Sequence, residues 1–258
     1  MPETLTANLF DYPKYYDVIF GTDWKAEFDF MLDCFQAYAR REVKRVFEPA
    51  CGTGRMLIKL AQAGYKVAGN DINAKAIEYC NRRFQRHGLP AAAVMGDMAD
   101  FKTPRPFDAG FIMINSFRHL LSETLARRHL ECMARAIAPG GLYLLGLHLI
   151  PTQGSRVDDE AWSARRGNLQ VNSYMWSKEL DLRRRREVLG MTFDVWTPTS
   201  HLRLEDEMIY RTYKADQITS LIESVPAWEI AAVHDFHYRI SIPVEIGPKT
   251  EDVVIVLR

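Results

Sequence analysis

Apolar and polar positions along the chain change rhythm several times, and each change marks an element. Phe28, Met31, Leu32, Phe35 and Tyr38 recur at helical spacing after Trp24, which predicts a helix over 24–38. From residue 45 to 150, short β-branched and aromatic runs alternate with helical patterns, the signature of a parallel sheet. Strands are expected near 44–48, 66–70, 91–95, 107–114 and 141–149, and helices near 54–64, 73–87 and 122–138. Asn73 and Ser122 are suited to N-caps, Gly64 and Gly88 to helix stops, and Pro139-Gly140-Gly141 to a break before the fifth strand.

The rhythm changes again after Pro151. Residues 151–168 are polar and hold Gly154 and Gly167, so they read as a mobile loop. Strand-like runs then follow at 170–176, 184–196 and 201–211 with no strong helical pattern between them, which predicts antiparallel strands. A helix resumes over 214–224, and two strands near 227–236 and 251–257 close the chain. Val253 to Leu257 is continuously apolar, as a strand buried on both faces would be.

The link between the first strand and helix carries the candidate chemistry. Val46-Phe47-Glu48-Pro49-Ala50-Cys51-Gly52-Thr53-Gly54-Arg55 reads as strand, glycine turn and helix start, a nucleotide-type cofactor site. A dinucleotide loop follows G-x-G-x-x-G and receives pyrophosphate at the helix N-terminus. Here the third glycine of that pattern is missing, and Glu48 at the strand end would repel a diphosphate. A ligand with a free ammonium group would welcome Glu48, and the methionine part of S-adenosylmethionine has one, together with a sulfonium. Asp71 ends the second strand 17 residues beyond Gly54, where an acid accepts hydrogen bonds from ribose hydroxyls.

With these features the sequence resembles the class I S-adenosylmethionine-dependent methyltransferases. The resemblance rests on Glu48-Pro49-Ala50-Cys51-Gly52-Thr53-Gly54, Gly69-Asn70-Asp71-Ile72-Asn73, Gly96-Asp97-Met98, Phe107-Asp108-Ala109-Gly110-Phe111, and Leu142-Tyr143 after Ala138-Pro139-Gly140-Gly141. These segments occur in the family's order over about residues 44–150, with a weaker match to the C-terminus. Ala50 stands where the family usually has glycine. The resemblance implies an α/β, Rossmann-like doubly wound sheet of seven strands, mostly parallel with the last strand antiparallel, and an inserted small antiparallel sheet. It implies an N-terminal helical cap over 1–43, a cofactor-binding core over 44–150, an acceptor-side insert over 151–212, and completion of the core sheet by 213–258.

By the same resemblance, Glu48 and the loop Ala50, Cys51, Gly52, Gly54 and Arg55 hold the methionine end of S-adenosylmethionine. Asp71 and Ile72 lie at the ribose, and Asp97 with Met98 flanks the adenine. Tyr16, in the aromatic run Tyr15 to Phe20, would hydrogen-bond the methionine end, or these aromatics simply pack. Asn115 is a further cofactor contact, by backbone or side chain. His119 and His148, after the fourth and fifth strands, either face the acceptor as general bases or are structural histidines; an ordinary histidine pKa suits a base.

Composition narrows the alternatives. The 258 residues are 47% hydrophobic and 26% charged, ordinary for a globular enzyme. The formal net charge is zero, which removes a global attraction to nucleic acid or anionic membrane. Cys34, Cys51, Cys80 and Cys132 show no C-x-x-C pair, so no zinc site is expected, and reduced cytoplasmic thiols are. Met1 to Phe10 lacks a secretory pattern, and the longest apolar run, 142–150, is too short to span a bilayer. Arg183 to Arg186 is flanked by acids and reads as a solvated edge strand, against a phosphate-binding patch. Tyr174, Trp176, Phe193 and Trp196 either line an acceptor pocket or fill a sheet face, and His234, His237, Tyr238 and Arg239 either reach the acceptor or form a polar loop. The expected activity is methyl transfer to an N or O nucleophile of a small molecule. An NAD-dependent oxidoreductase, a non-catalytic cofactor-binding protein, and an RNA or protein methyltransferase stand as rivals, and the oligomeric state is left open.

Overall fold

The computed structural model describes residues 3–258; Met1 and Pro2, the start of the segment read for a secretory signal and of the N-terminal cap, lie outside them. A short strand β1 (Glu3–Thr6) and a 3-10 turn (Leu9–Asp11) precede helices α1 (Pro13–Phe20) and α2 (Lys25–Tyr38). The alternating core follows: β2 (Arg45–Pro49), α3 (Arg55–Gln62), β3 (Lys66–Asp71), α4 (Ala74–Arg86), β4 (Ala93–Met95), β5 (Phe107–Ile112), α5 (Glu123–Ala136) and β6 (Ile137–His148). Four strands come next: β7 (Asp159–Arg166), β8 (Leu169–Asp181), β9 (Arg186–Trp196) and β10 (His201–Arg211). The chain ends with α6 (Ala215–Glu223), β11 (Ile230–His234) and β12 (Asp252–Leu257).

The main sheet has seven strands in the order β11-β12-β6-β5-β2-β3-β4. β2 pairs in parallel with β3 and β5, and β12 runs antiparallel to both β6 and β11. The last strand of the chain is therefore the antiparallel one, as expected. The path steps outward from β2 through β3 to β4, then returns to β5 on the other side of β2. That reversal opens a crevice at the carboxyl ends of the strands, where open α/β sheets bind ligands. Two apolar cores cover the sheet's faces. One lies under α5 and α6 and includes Leu130, Met133, Tyr143 and Ile218. The other lies under α2, α3 and α4 and includes Phe30, Leu57, Cys80 and Phe111. The N-caps are as the pattern predicts: Asn73 accepts from Ala76 N at 3.0 Å and Ser122 from Leu125 N at 3.2 Å.

The second sheet has the order β1-β10-β9-β8-β7. Two expectations fail here. Residues 159–166, read as part of a loop, form β7 and pair antiparallel with β8. β1, expected within a helical cap, adds to β10 in parallel. Both are edge strands; β1 is exposed throughout and β7 is largely so, and that is why neither shows a buried-strand pattern. The arginine run also differs from expectation. Arg183 and Arg184 sit in the β8–β9 turn, where Asp181 Oδ1 accepts from both of their backbone N–H groups. Arg185 takes a φ of +54° and donates to Glu123 at 2.7 Å. The inner face of this sheet packs Val171, Met191, Phe193 and Leu204 against Leu9, Val18 and Ile19 of the N-terminal segment.

Candidate active site

A cavity of about 540 Å³ occupies the crevice at the carboxyl ends of β2, β3 and β5, roofed by α1 and the inner face of β10. It brings together Tyr16, Glu48, Ala50, Cys51, Gly52, Arg55, Asp71, Ile72, Asp97, Met98 and His119. Gly54 lies directly beneath. A Cβ there would sit 2.4 Å from Cys80 Sγ, and its φ is +65°, so both space and backbone require glycine. Ala50 also takes a left-handed conformation, with φ of +52°. The glycine usual at this place in the resembling family has its reason in that angle: a Cβ there is strained by about 1–2 kcal/mol.

The loop folds around Asp71. Gly52 N and Asn73 N each donate to one of its carboxylate oxygens at 2.8 Å. Burial raises the Asp71 carboxyl above its ordinary range, and the backbone N–H groups of Asn73, Gly52 and Ile72 hold the rise in check. Its position is fixed before any ligand arrives, and each oxygen retains a lone pair for a further donor. Asp97 accepts from Ala99 N at 2.7 Å, while the Met98 carbonyl is held by His129, whose Nδ1 lies 2.8 Å away. His129 Nε2 is 2.6 Å from the Tyr143 hydroxyl. The carbonyl can only accept, so Nδ1 carries the proton and Nε2 accepts from Tyr143. Burial pulls His129 down to about 4, so this relay is neutral at pH 7.

Glu48, next to last in β2, is a half-buried acid. Its Oε2 has no hydrogen-bond partner, and burial raises its carboxyl well above the ordinary range despite Arg55 beside it. Arg55 instead donates from Nη2 to Glu27 of α2 at 2.5 Å, leaving Nη1 buried and unpartnered. Burying an unpaired polar group is costly, so such atoms mark where a ligand belongs. Glu48 and Arg55 both line the cavity, and a carboxylate and a guanidinium with unused hydrogen-bonding capacity fit the ammonium and carboxylate of an amino acid.

Tyr16 closes this end from α1. Its ring packs on Phe10 and Phe20 with centroids 5.7 and 4.6 Å away, and burial pushes its hydroxyl up to about 12. α1 is anchored by Asp17, whose carboxylate is fully buried. Tyr79 donates to it at 3.0 Å, and Arg83 and Arg166 pair with it at 2.7 Å each. Arg83 also donates to the Thr53 carbonyl at 2.9 Å. One carboxylate thus ties the roof to α4, to the glycine loop and to β7. Sequence reasoning assigned nothing to Asp17, Glu27 or His129. Each carried a signal: a charged or polar residue in phase with the buried stripe of its helix, as Glu27 is with Phe30, Met31 and Cys34.

His119 reaches the cavity from the 3-10 turn after β5. Its ring meets Phe10 and Tyr210 edge-on, at 5.5 and 4.8 Å. Burial, reinforced by Arg118, pulls it down to about 4. Asn115 and His148 are placed differently from expectation. The Asn115 side chain is committed to His148: Oδ1 accepts from His148 N at 2.8 Å and Nδ2 lies 3.1 Å from Nδ1. Both line a separate, smaller cavity of about 100 Å³, with Arg118, Glu187 and Tyr210. Ile114 and Asn115 both take positive φ, and this re-aims the chain at the strand end. Neither Asn115 nor His148 lines the main cavity, which departs from the cofactor contact expected of Asn115 and leaves His148 with the structural one of its two readings. The insert's aromatics take the second of their two readings, on the faces of the sheet and not on the main cavity. Phe193 is in the insert's core, Trp176 covers Gly190, and Tyr174 and Trp196 are exposed, Trp196 stacked on His201. β10 supplies Asp206, Glu207 and Met208 to the cavity instead. His234 is fully buried between Tyr38 and the Arg239 carbonyl, far from an acceptor role.

A family model described as a methyltransferase domain matches residues 46–141. A putative methyltransferase of Geobacillus sp. is 23% identical over 57% of this chain and 59% of its own length. The dTDP-4-amino-2,3,4,6-tetradeoxy-D-glucose N,N-dimethyltransferase of Saccharopolyspora spinosa is 29% identical over 55% of this chain and 57% of its own. The chain thus spans less than two thirds of the length of these two curated relatives. Fold similarity extends further. DesVI from Streptomyces venezuelae superimposes with a TM-score of 0.76 at 18% identity, covering 97% of this chain and 99% of that one. An amino pentose methyltransferase from Micromonospora echinaspora, solved with S-adenosylmethionine bound, gives 0.71 at 19% identity, covering 99% of each chain. Residues 46–141 thus match a methyltransferase domain, and the strand order and overall fold are similar to those of the S-adenosylmethionine-dependent methyltransferases.

Proposed function

We propose that the protein transfers a methyl group from S-adenosylmethionine to a nitrogen or oxygen nucleophile of a small molecule, an amino sugar being the acceptor class that the relatives favour. The observation that carries the reading is the unpartnered Glu48 Oε2 beside the glycine loop, in the cavity that also holds Asp71 and Asp97. In this reading Glu48 receives the ammonium, Arg55 Nη1 the carboxylate, Asp71 the ribose hydroxyls, and Asp97 with Met98 the adenine. Ala50, Cys51, Gly52 and Gly54 supply the close backbone, Ile72 lies over the ribose and adenine, and Tyr16 seals the methionine end. When bound, S-adenosylmethionine supplies an electrophilic methyl group and departs as a neutral thioether, so the leaving side needs no acid.

The protein's task is then alignment and exclusion of water, which carries much of the acceleration of such a displacement. His119 stands on the acceptor side. With a pKa near 4 it is neutral and has a free lone pair at pH 7, but it is too weak a base to strip a proton from an ammonium ion. It acts as an acceptor for an N–H or O–H of the nucleophile and orients the lone pair that attacks. Phe10, Leu120 and Met208 form the apolar part of the acceptor wall. Residues 1–43 serve as roof, 44–150 as the cofactor core, 151–212 as acceptor wall, and 213–258 complete the sheet. His148 and Asn115 brace the ends of β5 and β6.

The test is calorimetric titration with S-adenosylmethionine, S-adenosylhomocysteine and NAD in parallel, followed by a methyl-transfer screen over nucleotide-linked amino sugars. Binding of the first two without NAD, and turnover with an amino sugar, is the expected result. Binding of NAD alone overturns the reading.

A further inference from the structure

The charges around the main cavity do not balance. Glu48, Asp71, Asp97, Asp206 and Glu207 line it, Glu207 being paired with Lys178 outside the cavity, and Arg55 is the only lysine or arginine among the described residues that line it. His119 adds no charge at neutral pH. Arg55 offers the cavity only part of its charge, because Nη2 is paired outside it. It is turned to Glu27, which lies behind the wall on α2, with 3% of its side chain exposed, and does not line the cavity. The Arg55–Glu27 pair is neutral as a unit. Glu48, which also lines the cavity, is left with an oxygen that has no hydrogen-bond partner.

We infer that Glu27 is a specificity-determining positioning residue: by cancelling Arg55 from behind, it keeps the cavity electronegative and so favours the cationic methyl donor over its neutral product. The inference rests on S-adenosylmethionine being the ligand of this cavity. That molecule carries an ammonium, a carboxylate and a sulfonium, a net charge of +1. S-adenosylhomocysteine lacks the sulfonium charge and is neutral overall. All other groups are shared, so a change in the field of the cavity acts on the difference between the two. Glu27 touches neither ligand; it acts through Arg55. Because both partners are buried, salt screens the effect little.

The experiment compares binding of S-adenosylmethionine, S-adenosylhomocysteine and sinefungin, which bears an amine in place of the sulfonium, to the intact protein and to Glu27→Gln. The two cations are expected to lose affinity by about tenfold and the neutral product by less than about threefold, the scale of one unit charge acting across a partly buried site. Glu27→Asp, which keeps the charge, should restore most of the preference. The double variant Glu27→Gln/Arg55→Gln removes both charges and leaves the balance as in the natural protein, so its ratio of affinities should return toward the original value. Since it leaves neither buried charge unpaired, it also decides the matter if Glu27→Gln alone fails to fold. Equal weakening of all three ligands, or a double variant whose ratio differs from the natural one, overturns the proposal. Failure of the natural protein to bind any of the three refutes the cofactor reading itself, a separate result.

Discussion

Glu48→Gln isolates the group on which the site turns. The substitution keeps volume and removes the charge, and it places an amide where an ammonium is to be received. A hydrogen bond to a charged partner contributes about 1.5–3 kcal/mol, which corresponds to a loss of about ten- to a hundredfold in affinity for S-adenosylmethionine. The same change should stabilise the empty protein. Burial raises the Glu48 carboxyl well above its ordinary value of 4.5, so the folded state prefers it protonated. Its contribution to stability is fully present below that ordinary value and is lost as pH rises through the folded-state value. As pH rises through that value, the unpartnered carboxylate becomes a liability that glutamine does not share. A gain of about 1 kcal/mol would raise the melting temperature by roughly 2–4 °C. Calorimetric titration reads the first effect, and thermal melts between about pH 5 and 8 read the second, with the gap between variant and natural protein widening as pH rises. Unchanged affinity for S-adenosylmethionine, or a variant that melts lower at pH 7, would refute the reasoning.

Other perturbations follow from the same geometry. Asp71→Ala removes the acceptor for Gly52 N and Asn73 N as well as the ribose contact, and should weaken S-adenosylmethionine binding by at least about 1 kcal/mol in the same titration. Ala50→Gly relieves the left-handed strain but adds freedom to the unfolded chain; the net expectation is a stabilisation of about 0.5–1 kcal/mol by denaturant unfolding, and a loss would show that the strain is absent. His129 is held near 4 in the folded state against an ordinary 6.5. Its stabilisation is complete above that ordinary value and is lost as pH falls toward 4, a difference of at most roughly 3 kcal/mol. His129→Gln, which can still donate to Met98 and accept from Tyr143, should flatten the fall in melting temperature between about pH 6.5 and 5, and an unchanged fall would sink the assignment.

The core was legible because its signals are local and period-bound. The glycine turn after Glu48, the capping residues Asn73 and Ser122, and the apolar run Val253 to Leu257 each dictate their own conformation, and the strand order follows from their alternation. The insert was less legible because its edge strands β1 and β7 are largely exposed, and they exist only through pairing with distant chain. The aromatics there obey strand parity. In the β8–β9 register Tyr174 faces Thr192 and Ser173 faces Phe193, so Tyr174 and Phe193 lie on opposite faces and cannot line one pocket. At the end of β5, parity fails: positive φ at Ile114 and Asn115 breaks the alternation, and Asn115 turns to His148 while His119 turns to the cavity.

The three groups that sequence reasoning passed over share one physical origin. Asp17, Glu27 and His129 each occupy a helix position that an apolar residue would fill at less cost, since burying a polar group demands a partner. Each has found its partners in what surrounds the cavity: Asp17 in Arg83, which also holds Thr53; Glu27 in Arg55; His129 in Met98. None of them lines the cavity itself. Residues that meet a ligand can be read from motifs because the ligand's chemistry fixes their type and order. Those that hold the first set in place are fixed only by three-dimensional proximity, and what the sequence shows of them is a polar residue out of keeping with its helix.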